Sequence, residues 1–224
     1  MATLYLQSSS GGYYSGDDLS LDVQLEEGGA LHLTSQASTI VHHARHREGA
    51  CSTVSLRSGA GSFLEYCPDP TILLAGSALT SQVRLELGRE ANAILCDAQL
   101  SHDPEGQAAP FARLRNEIFI SRAGVPILLD RIDLNGRDWA AATGGFGAAG
   151  TVIVTGGTQT AETVRSALAG LTGCYIGVAE HSDRDLTLTR ILASDGAALS
   201  RALQAAWAAA RQSLTGALPR RRRK

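Results

Sequence analysis

The chain of 224 residues lacks the short motifs that announce an enzyme. It has no GxSxG, no HExxH and no GxxxxGK[ST]. Their absence removes the esterase elbow, the zinc-protease helix and the phosphate-cradling loop of nucleotide hydrolases. No spacing fixes a nucleophile beside a base, so a non-enzymatic role is expected. Long apolar runs are missing too, and none approaches the ~18 residues of a membrane helix. Residues 1–10 have neither a basic start nor a long apolar run, so no secretory leader is read there. The four cysteines, Cys51, Cys67, Cys96 and Cys174, form no CxxC. Reduced thiols in a cytoplasmic protein are the simplest reading.

Positive charge is scarce away from one place. Lys+Arg number 20 against 22 Asp+Glu, and residues 220–224 hold five of the positive charges. The body before this tail is therefore acidic and a poor match for nucleic acid. The tail reads as a solvated end able to touch an acidic partner.

What is present is β structure. An apolar fraction of 44% and 24 glycines suit one globular domain with many turns. The first two-thirds repeats a pattern of alternating strand, glycine turn and second strand. Val23-x-Leu25 leads into Leu31-x-Leu33, Val54-x-Leu56 into Phe63-Leu64, Val83-x-Leu85 into Ile94-Leu95, and Ile118-x-Ile120 into Ile127–Leu129. A period near 30 residues predicts stacked units, because one hairpin cannot bury its apolar face alone. The expected fold is mainly β: stacked antiparallel hairpins in a layered superhelical structure, with two helices in the C-terminal third. Little chain precedes the first of these strands, so its edge needs cover from another element or a partner.

One domain over 1–224 divides into repeated hairpins (1–135), a Gly/Ala-rich connector (136–150), a mixed α/β part (151–218) and a basic tail (219–224). The stretch from Gly59 to Leu79 contains two short strands, Phe63–Tyr66 and Thr71–Leu74, broken by Cys67-Pro68-Asp69-Pro70. Two prolines so close remove ladder donors and force a bend. Gly145, Gly147 and Gly150 match GxGxxG but precede a predicted strand, so no dinucleotide site is read there. Thr160 and Asp195 are the predicted helix caps. Leu199, Leu203, Trp207, Ala210 and Leu214 lie near one stripe of the second helix, which Gly216 and Pro219 end.

The cluster with chemistry is His42, His43 and His46, with Cys51 nearby. Imidazole and thiolate suit Ni2+ or Zn2+. On a continuous strand over 39–45, His42 and His43 would face opposite ways, and His42 and His46 would lie about 13 Å apart. A turn after His43 would bring them together. Asp17 and Asp18 follow a glycine and offer oxygen ligands that bind divalent ions weakly, which suits transit.

Three ordered blocks carry a family resemblance. Gly11 to Asp17 reads GGYYSGD, Leu33 to Thr39 reads LTSQAST, and Leu64 to Leu79 reads LEYCPDPTILLAGSAL. They resemble the GGxxxGD, LTTQAxTK and LEYLPxPTIPFxGSRL blocks of the urease accessory proteins called UreD or UreH. The chain departs from the family's TKxYR, having Thr39-Ile40-Val41-His42-His43. The resemblance implies a non-enzymatic scaffold that binds a helical UreF-like protein and, through it, a UreG-like GTPase, and docks them on apo-urease. It also implies no tightly bound cofactor, with Ni2+ in transit along a water-filled route. The last helix and tail, with Trp207, Arg220 and Arg221, are the expected accessory-protein side. Two alternatives remain: a direct nickel carrier using the His/Cys cluster, and a β-module without a urease role.

Overall fold

The structure is a computed structural model that describes residues 1–45, 49–157 and 159–219. The chain runs through β1 (Ala2–Leu6), β2 (Asp18–Leu25), β3 (Ala30–Ser35), β4 (Thr39–Val41), β5 (Ala50–Ser58), β6 (Phe63–Tyr66) and β7 (Thr71–Leu74). It continues through β8 (Ala78–Leu87), β9 (Asn92–His102), β10 (Arg113–Arg122), β11 (Val125–Asn135), the one-turn α1 (Trp139–Ala142) and β12 (Ala148–Thr155). It ends with α2 (Thr160–Leu168), β13 (Cys174–His181), β14 (Leu186–Ala193) and α3 (Gly196–Thr215).

The layered stack expected from the repeat is the fold, but the pairing inside each unit differs from the hairpin expectation. Among the described residues the strands form two sheets. One is nine-stranded, in the order β1-β3-β6-β9-β12-β14-β13, with β4 and β7 extending two of its rungs. The other is five-stranded, in the order β11-β10-β8-β5-β2. In the first three units the two strands lie in different sheets, and from the first unit to the third each is parallel to its counterpart in the neighbouring unit. Only the fourth unit, β10 and β11, is an antiparallel hairpin. Period-two alternation is the same for a hairpin strand and a stacked rung, so it cannot separate the two arrangements.

The turns explain the crossing. Residues 26–29, 59–62 and 88–91 each close on the same bond, Gly29 N–H to Glu26 O, Ser62 N–H to Gly59 O and Ala91 N–H to Gly88 O. The turns also bond to one another along the stack, Gly28 N–H to Ala60 O and Gly61 N–H to Arg89 O, both 2.9 Å. They approach so closely that a Cβ on Gly88 would sit 2.7 Å from the Ala60 nitrogen and 2.8 Å from the Gly59 carbonyl carbon. A Cβ on Gly59 would meet Glu27 and Glu26 at the same two distances.

The repeat alignment holds in register for three units, with Val54 beside Val83 and Val83 beside Ile118. The first unit is shifted by two residues, placing Val23 beside Leu56. A two-residue shift keeps the same face inward. β1, a strand the sequence pattern did not indicate, pairs parallel with β3 at the end of the larger sheet, whereas β2, the strand whose edge was expected to need cover, stays the last strand of the smaller sheet among the described residues.

Leu33, Leu56, Leu64, Leu85, Leu95, Ile118 and Ile120 fill the space between the sheets. On the other face of the larger sheet, Ile94, Cys96, Val152 and Val154 pack against Val164 of α2 and Leu199, Leu203 and Trp207 of α3. β9 and β12 are thus buried on both faces, which is why Ile94–Cys96 and Val152–Val154 read as continuous apolar runs. Asp195 caps α3, accepting the Ala198 N–H at 2.8 Å, and Gly216 closes it in the left-handed conformation. For α2 the N-cap is Gln159 rather than Thr160. Thr160 lies inside the first turn, where its hydroxyl donates to Gly157 O at 3.1 Å. The connector contains α1 and gives way to β12 at Ala148, so Gly150 lies within a strand, as the rejection of a dinucleotide site requires.

Candidate functional site

Between the sheets the apolar filling is interrupted by a belt of polar side chains. β9 carries Asp97 and Gln99 on its inward face, in the alternation that also points Leu95 inward. Asp97 Oδ2 accepts from Asn116 Nδ2 of β10 at 2.6 Å and from Gln99 Nε2 at 2.7 Å, so the first bond joins the two sheets. Beside it Arg190 of β14 reaches Asp130 of β11 at 2.5 Å and donates to the Thr151 hydroxyl at 2.7 Å. Burial holds the Asp97 carboxyl above the ordinary carboxylate range, against the two donated hydrogen bonds that pull it down. Burial, with the Tyr13 and Asp97 charges behind it, also raises the Tyr66 phenol. The sequence reading missed this belt. Its trace is a single acid inside the apolar run Ile94–Leu100 and a single amide inside β10.

The return loops, on the side opposite the stacked turns, form a cleft of about 790 Å³ lined by Tyr14, His42, His43, Arg45, Asp103 and Glu105. β4 ends at Val41, so the continuous strand over 39–45 does not form and both histidines line this one cleft. His42 stacks on Tyr14 with ring centroids 4.3 Å apart. His43 bridges to Ser77. His46 lies outside the described residues. Asp103 is occupied by its own loop, accepting the N–H groups of Glu105, Gln107 and Ala109, which hold its carboxyl below the usual range. Asp17 is a turn acid: its Oδ2 accepts the Tyr14 N–H at 2.8 Å, which positions the ring against His42. Asp18 opens β2 beside Cys51 and does not line the cleft. Among the described residues no three His, Cys, Asp or Glu side chains gather to hold a metal ion. The two imidazoles line the cleft with different neighbours, His42 against Tyr14 and His43 beside Gly76.

Under α3 lies a buried ionic cluster. Glu65, fully buried on β6, has its Oε2 2.7 Å from His32 Nδ1 and 2.8 Å from Arg211 Nη1. Trp207 stacks on His32 at 5.0 Å. Trp207 is only 8% exposed, so it is first a core residue, and it meets solvent through a second cleft of about 860 Å³ between α3 and the Cys67–Pro70 break. Arg220 and Arg221 lie outside the described residues.

The profile of a protein family described as "UreD urease accessory protein" matches residues 1–224. The chain belongs to the UreD family. It is 34% identical to "Urease accessory protein UreD 1" of Methylorubrum populi, over all of this chain and 78% of that protein. It is 35% identical to "Urease accessory protein UreD 1" of Pseudomonas syringae pv. syringae, over all of this chain and 81% of that one. The family is one of urease accessory proteins rather than catalysts, and membership supports a role in urease maturation.

The three UreD-like blocks are neighbours in space. Tyr13 of the first bridges to Val41, just beyond the second, and Thr39 pairs with Thr71 of the third. Gly12 has a positive φ and abuts the Ile40 carbonyl, where a Cβ would collide. The Thr34 hydroxyl donates to Cys67 O at 2.6 Å and the Ser35 hydroxyl accepts the Asp69 N–H at 2.8 Å. The second block thereby satisfies backbone groups that the two prolines of the third leave outside the ladder. No helix among the described residues is long and apolar enough to cross a membrane.

Proposed function

We propose that this UreD-family chain is a scaffold and conduit in urease maturation. In this reading it binds a UreF-like accessory protein and, through it, a UreG-like GTPase. It docks the assembly on apo-urease so that Ni2+ reaches the active site. The match to the family over residues 1–224 carries the reading. Two further features support it. The acidic body favours approach of a divalent cation. The belt of Asp97, Gln99, Asn116 and Asp130 offers oxygen ligands inside an otherwise apolar interior, without a cage that would trap the ion.

Co-expression with matching UreF-like and UreG-like proteins tests the reading, with size-exclusion chromatography and nickel analysis of co-expressed urease as readouts. A shared peak and nickel-loaded urease are expected. A lone monomer with unloaded urease would sink the scaffold role and leave a plain structural module.

A further inference from the structure

We propose that Cys67 and Cys96 form a dithiol site for a thiophilic metal cation, a soft or borderline ion such as Cd2+ or Zn2+, in the cleft beneath α3. The inference is independent of the maturation role.

β6 and β9 run parallel, and their last register pair is Tyr66 beside Leu95. The next residue on each strand is a cysteine. Tyr66 and Leu95 both face the inter-sheet core, so alternation turns both cysteines to the helix-covered face, where they share one cluster with Leu203 and Trp207. Each is 4% exposed, and both line the cleft of about 860 Å³, which also holds Asp69, Arg201 and Gln204. The cleft gives a small ion or its hydrated complex a way in.

The spacing fits a metal. Neighbouring rungs lie about 4.8 Å apart. A tetrahedral ion with bonds of about 2.3 Å sets two thiolate sulfurs roughly 3.8 Å apart. Cys67 is the residue before Pro68, where the ladder is interrupted, so its side chain can close the difference without moving a long strand. Binding releases a proton from each S–H and forms two S–metal bonds, with no change of oxidation state. Water from the cleft completes the coordination, so the ion exchanges. Hard cations that prefer oxygen are excluded by the sulfur pair.

The test is a titration of the reduced full-length chain with Cd2+, read by the ultraviolet thiolate-to-cadmium absorption and by proton release. One ion per chain and two protons per ion are expected. The band should be lost in Cys67→Ala and in Cys96→Ala and kept in Cys174→Ala. A band of undiminished size in either of the first two variants overturns the proposal. Both cysteines lie in the core, so a second measurement uses the unaltered chain. Phenylarsine oxide takes two neighbouring thiols, forms two arsenic–sulfur bonds and loses its oxygen as water. Digestion and mass spectrometry should recover one adduct joining the Cys67 and Cys96 peptides; arsenic on another pair, or none bound, refutes the site.

Discussion

Asp97 shows how much one residue's surroundings can set. Its side chain is a hydrogen-bond acceptor between the sheets, and burial raises its proton affinity in the folded state. A carboxyl whose folded pKa lies above its unfolded value contributes stability below the unfolded value, near 3.9, and loses it as pH rises through the folded one. At neutral pH the folded chain therefore carries a penalty for charge at this position. Asp97→Asn removes the charge and keeps an oxygen to accept from Asn116 and Gln99. Its thermal midpoint should exceed that of the unaltered chain at neutral pH, with the gap closing as pH falls into the carboxylate range. A midpoint lowered equally across that span would show that hydrogen-bond geometry, not charge, dominates. The Glu65 cluster follows the same lesson. Glu65 is visible in the sequence only as one letter of a block, and its partners His32 and Arg211 lie 33 and 146 positions away. No local pattern could have joined them.

Among elements, the stacked turns hold the repeat in step. Gly88 has backbone atoms of the turn below within 2.8 Å of where a Cβ would stand, and its N–H donates to Ser58 O at 2.7 Å. Gly88→Ala must push the two turns apart, and overpacking of this kind costs about 1–3 kcal/mol. Chemical denaturation should show a loss of that size, whereas an unchanged midpoint would mean the turns are not in firm contact. The glycines of these turns were legible in the sequence as turn residues; their closeness to the turn of the neighbouring layer was not. α3 changes its meaning in the same way. Its stripe of Leu199, Leu203 and Trp207 was legible, and the structure commits most of that stripe to covering the larger sheet. Deleting residues 195–224 therefore tests folding before it tests partner binding.

For the whole molecule, β9 and β12 matter most, because each contributes side chains to the core between the sheets and to the core under the helices. Neither core can open while the other keeps these strands in place. Heating should give one cooperative transition with equal calorimetric and van't Hoff enthalpies. Two resolved transitions would show that the helical layer melts by itself. The strand alternation, the turn glycines, the break at Cys67–Pro70, the Asp195 cap and the three UreD-like blocks were all determined by the sequence alone. Each depends on the chemistry of residues a few positions apart. Tertiary structure alone decided which strands became neighbours. With that choice came Asp97 against Asn116, Glu65 between His32 and Arg211, His42 beside His43 in one cleft, and Cys67 alongside Cys96. The physical reason is that a parallel ladder bonds residues about thirty positions apart, while the alternating pattern that builds each strand is indifferent to which partner it meets.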